Sequence, residues 1–283
     1  AGAPTRPSVA DTVTQLPPIN VQDARRTPVT DRETSTRVRM DRATATRFLP
    51  QTVGDALATV PGVELVKTSP WASQLSIRGM TGDRVVLMVD GVRMNTVRGH
   101  GVQPSLVALD NVASLEVLPG AGSAHVGSDA LGGVVNVVTQ RNLFADQPRT
   151  SAMVRARGSE PGAAYSQSGR LRIAGPRAGI EVGGGIGSTD YLTSAEGRIP
   201  DSGMREENAL VHGAARAGAA TLDAEYSHYP ARDIGLPGFT GGAVIEGSYP
   251  LQGRDASRVE LSVKGSGAFP EFRVLGSHQN LST

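Results

Sequence analysis

The side chains best suited to binding a ligand lie in two loop segments, residues 67–74 and 93–105. Trp71, the only tryptophan, could stack on a planar ligand or simply pack within the fold. Arg98 could pair with a ligand carboxylate, and His100 could ligate haem iron or another metal. A solvated loop accounts for the same residues, so both interpretations stay open. The candidate ligand contacts are Trp71, Asn95, Arg98, His100 and Gln103.

No group of residues in the sequence indicates catalysis. Arg78, Asp90, Arg93 and Glu116 include acids and bases, but buried ion pairs explain them better, since losing one partner strands a charge. The glycines of residues 120–133 lack the Gly-Lys-Ser/Thr ending of a phosphate loop and do not fit a dinucleotide fingerprint. Tight turns and close backbone packing explain them instead. We therefore expect no enzyme activity, no catalytic residues, no cofactor and no metal site.

Composition excludes several other classes of function. The chain has 28 basic and 27 acidic residues, so it lacks the clustered basic face that nucleic-acid binding requires. It has no cysteine, which rules out disulfides and thiolate metal sites. No segment approaches the ~20 apolar residues of a membrane helix, although a β-barrel shows no such peak.

Residues 1–45 are rich in Pro, Thr, Arg and Asp and poor in large apolar groups. Such a segment cannot bury enough apolar surface to offset the entropy of ordering its backbone, so we expect a mostly disordered tail. One stretch differs, because two prolines favour an extended chain and Ile19 and Val21 alternate with polar neighbours. It could add as a strand to another protein's sheet edge or serve as a plain linker. That stretch is Ile19, Asn20, Val21, Gln22, Asp23 and Ala24.

Residues 46–145 are predicted to form a compact α+β domain. Thr52 is placed to cap a short helix that ends before Pro61-Gly62. The apolar run 84–89 suits a strand buried on both faces and followed by a tight turn at Asp90-Gly91. Further strands are expected at 75–78, 113–118 and 134–138, and a second helix at 105–109.

Residues 146–283 change to the two-residue alternation of exposed strands. Short and long connections alternate between these strands, and the long ones are expected at about 189–205 and 230–255. This asymmetry is typical of an outer-membrane barrel, which has short periplasmic turns and long outer loops. Seven strands are predicted, near 151–158, 163–174, 178–188, 206–217, 219–229, 257–265 and 271–280.

Six short motifs in residues 51–140 together resemble the plug domain of TonB-dependent outer-membrane receptors. They are Val-Gly-Asp-Ala-Leu at 53–57, Val-Pro-Gly-Val at 60–63, Ile-Arg-Gly-Met at 77–80, Val-Leu-Met-Val-Asp-Gly-Val-Arg at 86–93, Leu-Glu-Val at 115–117, and Gly-Ser-Asp-Ala-Leu-Gly-Gly-Val-Val-Asn at 127–136. Leu118-Pro119-Gly120 stands where the family usually has Arg-Gly-Pro, which places an ion pair from that arginine in doubt. The residues that carry the plug motif are Arg78, Gly79, Asp90, Gly91, Arg93, Glu116, Gly127, Gly132 and Gly133.

The resemblance implies a plug domain followed by an antiparallel transmembrane β-barrel of about 22 strands, which is incomplete in this sequence. It also implies an outer-membrane location in contact with lipid. Residues 19–24 become the TonB-box candidate, through which TonB would bind and pull from the periplasm. The implied function is import of a ferric siderophore, haem or cobalamin, and the outward-facing plug loops would contact that ligand.

A second function stays open. An open set of seven strands would expose backbone groups to lipid at a cost of several kcal/mol each. We therefore expect either a truncated transporter sequence or a non-transporting envelope scaffold that docks into a larger assembly.

Overall fold

The computed structural model of this 283-residue chain describes residues 37–47, 50, 52–67, 73–94, 104–120, 126, 130–159, 164–195, 197–240, 243–265 and 270–282. Among these residues, no helix has both the length and the apolar character needed to cross a membrane.

The N-terminal domain, residues 38–139, is built on a mixed five-stranded sheet. Its order is β1-β6-β7-β4-β5, and a separate antiparallel hairpin of β2 and β3 packs with it. All neighbours in the sheet are antiparallel except β4 and β7, which run parallel. The strands are β1 (Val38–Asp41), β2 (Val63–Lys67), β3 (Ser73–Ile77), β4 (Val85–Val89), β5 (Val92–Arg93), β6 (Val112–Pro119) and β7 (Gly133–Thr139).

Short helices connect these strands and are capped by nearby side chains. Helix α1 (Arg42–Thr46) begins at Asp41, whose carboxylate accepts a hydrogen bond from the Thr44 amide. That hydrogen bond lowers the pKa of Asp41. Helix α2 (Val53–Leu57) begins at a capping box, in which the side chains of Thr52 and Asp55 each accept a hydrogen bond from the other's backbone amide. Three 3₁₀ turns complete the domain, at Gly82–Arg84, Pro104–Leu106 and Leu109–Asn111.

Strand β4 is the apolar run predicted from sequence, and it is buried on both faces. Leu87 belongs to the main hydrophobic core, whereas Val86 packs in a smaller cluster with Ala130 and Val134 on the other face. The strand ends in Asp90-Gly91, where both residues have positive φ, and the chain returns as β5. Such a pair suits a two-residue hairpin turn because its backbone twist matches that of the flanking strands.

The main core joins the N-terminal domain to the strands that follow it. Leu57, Ile77, Leu87 and Leu115 are almost completely buried, and each contributes about 1.5–3 kcal/mol by leaving water. Side chains from the second sheet complete the same core; they are Met204, Tyr229, Ala231 and Ile234.

The second sheet, here called the wall sheet, has seven antiparallel strands in the order β16-β15-β14-β13-β10-β9-β8. It is open, and β8 and β16 are its two edges. A small hairpin of β11 (Leu192–Ser194) and β12 (Gly197–Ile199) lies between β10 and β13 in the chain. The wall strands are β8 (Arg149–Ser159), β9 (Ala164–Ala174), β10 (Ala178–Thr189), β13 (Met204–Ala217), β14 (Ala220–Thr240), β15 (Ala243–Lys264) and β16 (Glu271–Ser282).

All seven predicted wall strands are present, but both long connections between them were predicted wrongly as loops. The segment 189–205 contains the β11–β12 hairpin. The segment 230–255 continues β14 and β15, which remain paired as far as Thr240 and Ala243. Its glycines and prolines suggested a loop, yet cross-strand pairing satisfies the backbone despite their low strand propensity.

Two predictions for the N-terminal domain also need correction. Residues 38–45 were expected in the disordered tail, but they form β1 and most of α1, because β6 supplies the pairing that the local sequence lacks. The helix expected at 105–109 is instead two separate 3₁₀ turns around Val107 and Ala108. The other predicted strands agree with the structure to within one or two residues, which is the usual uncertainty of a strand end.

Candidate functional site: the contact between the N-terminal domain and the wall sheet

Several predicted site residues lie outside the described residues, so the structure does not test them. These are the six residues of the TonB-box candidate, Ile19 to Ala24, together with Gly127 and four members of the second loop, Asn95, Arg98, His100 and Gln103. Trp71, the candidate in the first loop, is also outside the described residues.

Asp90, Gly91 and Glu116 anchor the turn between β4 and β5 to the neighbouring strands. The Asp90 carboxylate accepts hydrogen bonds from the Thr139 amide at 2.9 Å and the Thr139 hydroxyl at 2.6 Å. The Gly91 amide donates to the Asn136 side chain, which in turn donates to Glu116 at 3.2 Å. Glu116 also lies 3.7 Å from the half-exposed guanidinium of Arg39. Buried ion pairs were expected here, but Asp90 and Glu116 form hydrogen bonds mainly to neutral groups. These hydrogen bonds have a structural role.

The remaining described motif residues shape the backbone. Arg78 and Gly79 both have positive φ and form the turn that follows β3. A Cβ atom on Gly132 would lie 2.7 Å from Cβ of Met80, and one on Gly133 would lie 2.7 Å from the Leu118 carbonyl oxygen. Close packing therefore requires both glycines, as predicted from the sequence. Arg93 lies in β5.

Asp110 is the centre of the contact between the N-terminal domain and the wall sheet. It lies in the 3₁₀ turn Leu109–Asn111, and its carboxylate accepts hydrogen bonds from Arg155 of β8 and Ser168 of β9. Arg157 of β8 approaches the same carboxylate at 3.7 Å and Arg42 of α1 at 3.9 Å. One carboxylate of the N-terminal domain thus lies near two arginines of β8, a serine of β9 and an arginine of α1.

Further arginines extend this contact along β9. Arg170 donates to the Asp110 carbonyl oxygen at 2.6 Å and to the Gln140 side chain at 3.1 Å. Arg172 donates to the same Gln140 oxygen at 3.2 Å. Both arginines also pair with Glu181 of β10, whose side chain is fully buried. Nearby, burial lowers the pKa of Arg42, and the positive charges of Arg170 and Arg155 lower it further.

Arg141 forms a second contact immediately after β7. Its guanidinium pairs with Asp223 of β14 and lies 3.3 Å from Glu260 of β15. Burial acts to lower the pKa of Arg141, but the carboxylates of Asp223, Asp90 and Glu260 together more than offset it, so the pKa is raised. Asp223 also contacts the fully buried His212 at 3.0 Å. Glu260 is shared further with Arg258 and Arg273.

A small polar cavity lies beside Asp110. Its volume is about 40 Å³, enough for a few water molecules at about 10–15 Å³ of accessible volume each. Residues from both sides line it, among them Thr52, Ser105 and Asp110 from the N-terminal domain, and Arg157, Glu206 and Tyr229 from the wall. The interface is therefore polar at this place, whereas the core that the two parts share is apolar.

The face of the wall sheet turned away from the N-terminal domain is apolar. Along β9, for example, exposed Leu171 and Ile173 alternate with the inward-facing Arg170 and Arg172. Contiguous apolar surface of this extent on a protein marks contact with a membrane or a partner. The exposed apolar side chains include Val154, Leu171, Ile173, Ile180, Val182, Ile186, Val211, Leu222, Val259, Leu261, Phe272 and Val274.

Sequence reasoning missed Asp110, Arg141 and the arginines of β8 and β9. The partners that join the two parts of the chain are separated by 30 to 119 residues, so no local spacing reveals them. One signal was available, because Arg155 and Arg157 share one face of a strand, as do Arg170 and Arg172. Charges repeated on one strand face indicate a polar interior contact. Among the described residues, no group of three or more His, Asp or Glu side chains is arranged to hold a metal ion.

This combination of a mixed α+β domain and an apolar-faced antiparallel wall resembles that of TonB-dependent receptors. Residues 28–134 match the family model of the TonB-dependent receptor plug domain. Over 87 residues the chain is 38% identical to the vitamin B12 transporter BtuB of Vibrio vulnificus (strain CMCP6), a match that covers 30% of this chain and 14% of that protein. The chain therefore carries a TonB-dependent receptor plug domain, and the resemblance found in the sequence is confirmed.

Solved structures show the same fold over most of the chain. The copper transporter OprC matches with a TM-score of 0.72 at 12% identity, covering 87% of this chain and 37% of that one. The siderophore receptor PirA from Acinetobacter baumannii matches with a TM-score of 0.63 at 18% identity, covering 86% and 39%. The chain thus spans well under half the length of each relative. These likenesses establish the fold, in which the wall sheet corresponds to barrel strands.

Proposed function

We propose that this chain belongs to a receptor that imports a scarce nutrient across the outer membrane, with TonB supplying the energy. The plug motifs and the apolar outer face of the wall sheet support this assignment. The observation that carries it is the charged contact between plug and wall at Asp110 and Arg141. Such a contact holds the plug in place at rest, and its polar groups can exchange their partners for water when plug and wall separate there.

The nutrient is a ferric siderophore, haem or cobalamin. The relatives named above include a vitamin B12 transporter and a siderophore receptor, which supports this range without choosing within it. In this mechanism, plug loops facing outward bind the ligand, through residues such as Arg98 and His100. TonB pairs with the extended stretch Ile19–Ala24 by strand addition and pulls on the tail. Force then reaches the plug through β1, the first strand of its sheet.

Proline substitutions in the TonB-box candidate test this proposal. Ile19→Pro and Val21→Pro each remove the backbone N–H at their own position, and with it the hydrogen bond that strand addition would use there. Uptake of radiolabelled cyanocobalamin, haemin and a ferric catecholate would be measured in cells that express this receptor alone. We expect at least a tenfold loss of energised uptake, with normal receptor levels in the outer membrane. Ser8→Pro, outside the candidate stretch, is the matched control and should import normally.

Two results would count against the proposal. Normal uptake by both Ile19→Pro and Val21→Pro would show that the stretch does not couple to TonB. No energised uptake of any probe by the unmodified receptor would instead favour a scaffold role in the cell envelope.

A further inference from the structure

Four arginines of the wall form a continuous row on its inner face. Arg155 and Arg157 lie on β8, and Arg170 and Arg172 lie on β9, all on the face turned toward the plug. Arg157 is paired across the strands with Ser166, which lies six residues from Arg172. At about 3.3 Å per residue the row is about 20 Å long. It runs along the strands, and therefore along the direction in which the wall would cross the membrane. We call these four residues the arginine ladder.

The positive charge of the ladder exceeds the negative charge that the neighbouring wall residues supply. The wall supplies two carboxylates beside it, Glu181 of β10 and Glu206 of β13. Arg170 has only 9% of its side chain exposed, and the other three have about a quarter. Partly burying arginines costs desolvation energy that neutral side chains would avoid. Holding the plug in place does not by itself require such an excess of positive charge.

At rest, polar groups of the plug occupy the ladder. Asp110 accepts from Arg155 and lies near Arg157, while Gln140 accepts from Arg170 and Arg172. The adjacent strand β10 presents Gly183, Gly185 and Gly187 beside β9, and polar side chains lie next to these glycines, namely Ser168 of β9 and Glu206 and Asn208 of β13. When the plug withdraws, the wall would present the guanidinium groups beside these polar side chains.

We propose that the arginine ladder is an anion-binding track for the cargo, so that the imported nutrient is negatively charged. The plug's Asp110 and Gln140 act as resting occupants, and the cargo takes their place during passage. Guanidinium groups bind carboxylate and catecholate oxygens with paired, charge-assisted hydrogen bonds. A row of such groups about 20 Å long lets an anion move from one site to the next with only partial loss of contact. This inference rests on the proposed import function and narrows its substrate to an anionic chelate.

The first test compares cargo of different charge in cells expressing this receptor alone. A multiply anionic ferric catecholate is compared with a neutral ferric trihydroxamate and with cyanocobalamin. We expect energised uptake of the anionic probe. If only a neutral probe were taken up, the import function would be supported, but the proposal that the arginine ladder binds the cargo would be contradicted. If no probe were taken up, both the import function and the ladder proposal would be contradicted.

The second test separates an anion track from a simple seat for the plug. Arg155→Gln with Arg170→Gln should lower the uptake rate of the anionic probe about tenfold or more, with surface binding unchanged, and the corresponding lysine pair should restore most of it. Asp110→Asn loosens the same plug segment but leaves the ladder charged, so it should lower uptake far less. Arg205→Gln with Arg232→Gln, on the exposed outer part of the wall, is the control and should import normally.

Two outcomes would overturn the track. Equal losses of uptake in Asp110→Asn and in the glutamine pair would mean that the arginines only hold the plug. Unchanged uptake in the glutamine pair would mean that the cargo does not use them.

Discussion

At the scale of single residues, charges from distant parts of the chain hold the plug to the wall. Asp110 lies 45 residues from Arg155 and 60 from Arg170, yet contacts both. Arg141 stands just after β7 and reaches Asp223 and Glu260. The arginine that the family usually has after the strand of Glu116 is absent from this sequence. Arg141, at a different position, forms ion pairs with Asp223 and Glu260 of the wall.

Asp110→Asn tests the first of these contacts. The substitution keeps the shape of the side chain but removes the charge that Arg155 and Arg157 face. Charged hydrogen bonds contribute about 1.5–3 kcal/mol each, and partial exposure reduces that value here. We expect amide exchange of residues 104–120 to become about tenfold faster, equivalent to about 1.4 kcal/mol. Asp83→Asn, at an exposed residue of the 3₁₀ turn Gly82–Arg84, is the control. Equal protection in all three proteins would contradict the role of Asp110.

At the scale of elements, strand alternation and apolar runs predicted the seven wall strands and most of the plug sheet, but not β1, β2 or β5. The seven wall strands and β4 appear where their patterns place them, because period-two burial is a local property of sequence. Hairpin length was not predictable, since the prolines and glycines near Pro230 and Gly235 suggested a loop while the partner strand supplies the pairing. Close packing at Gly132 and Gly133 was predictable from the sequence, but the residues that they pack against were not.

Gly133→Ala tests the packing of the plug strands. The added methyl group would lie 2.7 Å from the Leu118 carbonyl oxygen and 3.0 Å from Cδ1 of Ile77. Overpacking of this kind costs about 1–3 kcal/mol. We expect the plug of the purified receptor to become markedly more sensitive to protease at a given denaturant concentration. Gly213→Ala, in β13 with no atom within 4 Å of the new methyl group, should leave protease resistance unchanged. A Gly133→Ala protein as resistant as the control would contradict the packing described here.

At the scale of the whole molecule, the structure combines a plug, a polar contact and a wall with an apolar exterior. The charged groups concentrate on the inner face of the wall, where polar groups of the plug contact many of them. The apolar groups concentrate on the outer face. Sequence patterns revealed both faces of the wall but not the contact, because that contact depends on which strands lie beside the plug. The central claim is that the plug must separate from this wall for import to occur.

A reversible cross-link between plug and wall tests that claim most directly. The chain has no cysteine, so Asp110→Cys with Ser168→Cys introduces a single pair at side chains that contact each other in the structure. Uptake and surface binding of a radiolabelled ferric catecholate would be measured with the pair oxidised and then reduced. We predict that the oxidised receptor binds the probe but does not import it, and that reduction restores import. Import at the same rate in the oxidised and reduced receptor would contradict the account.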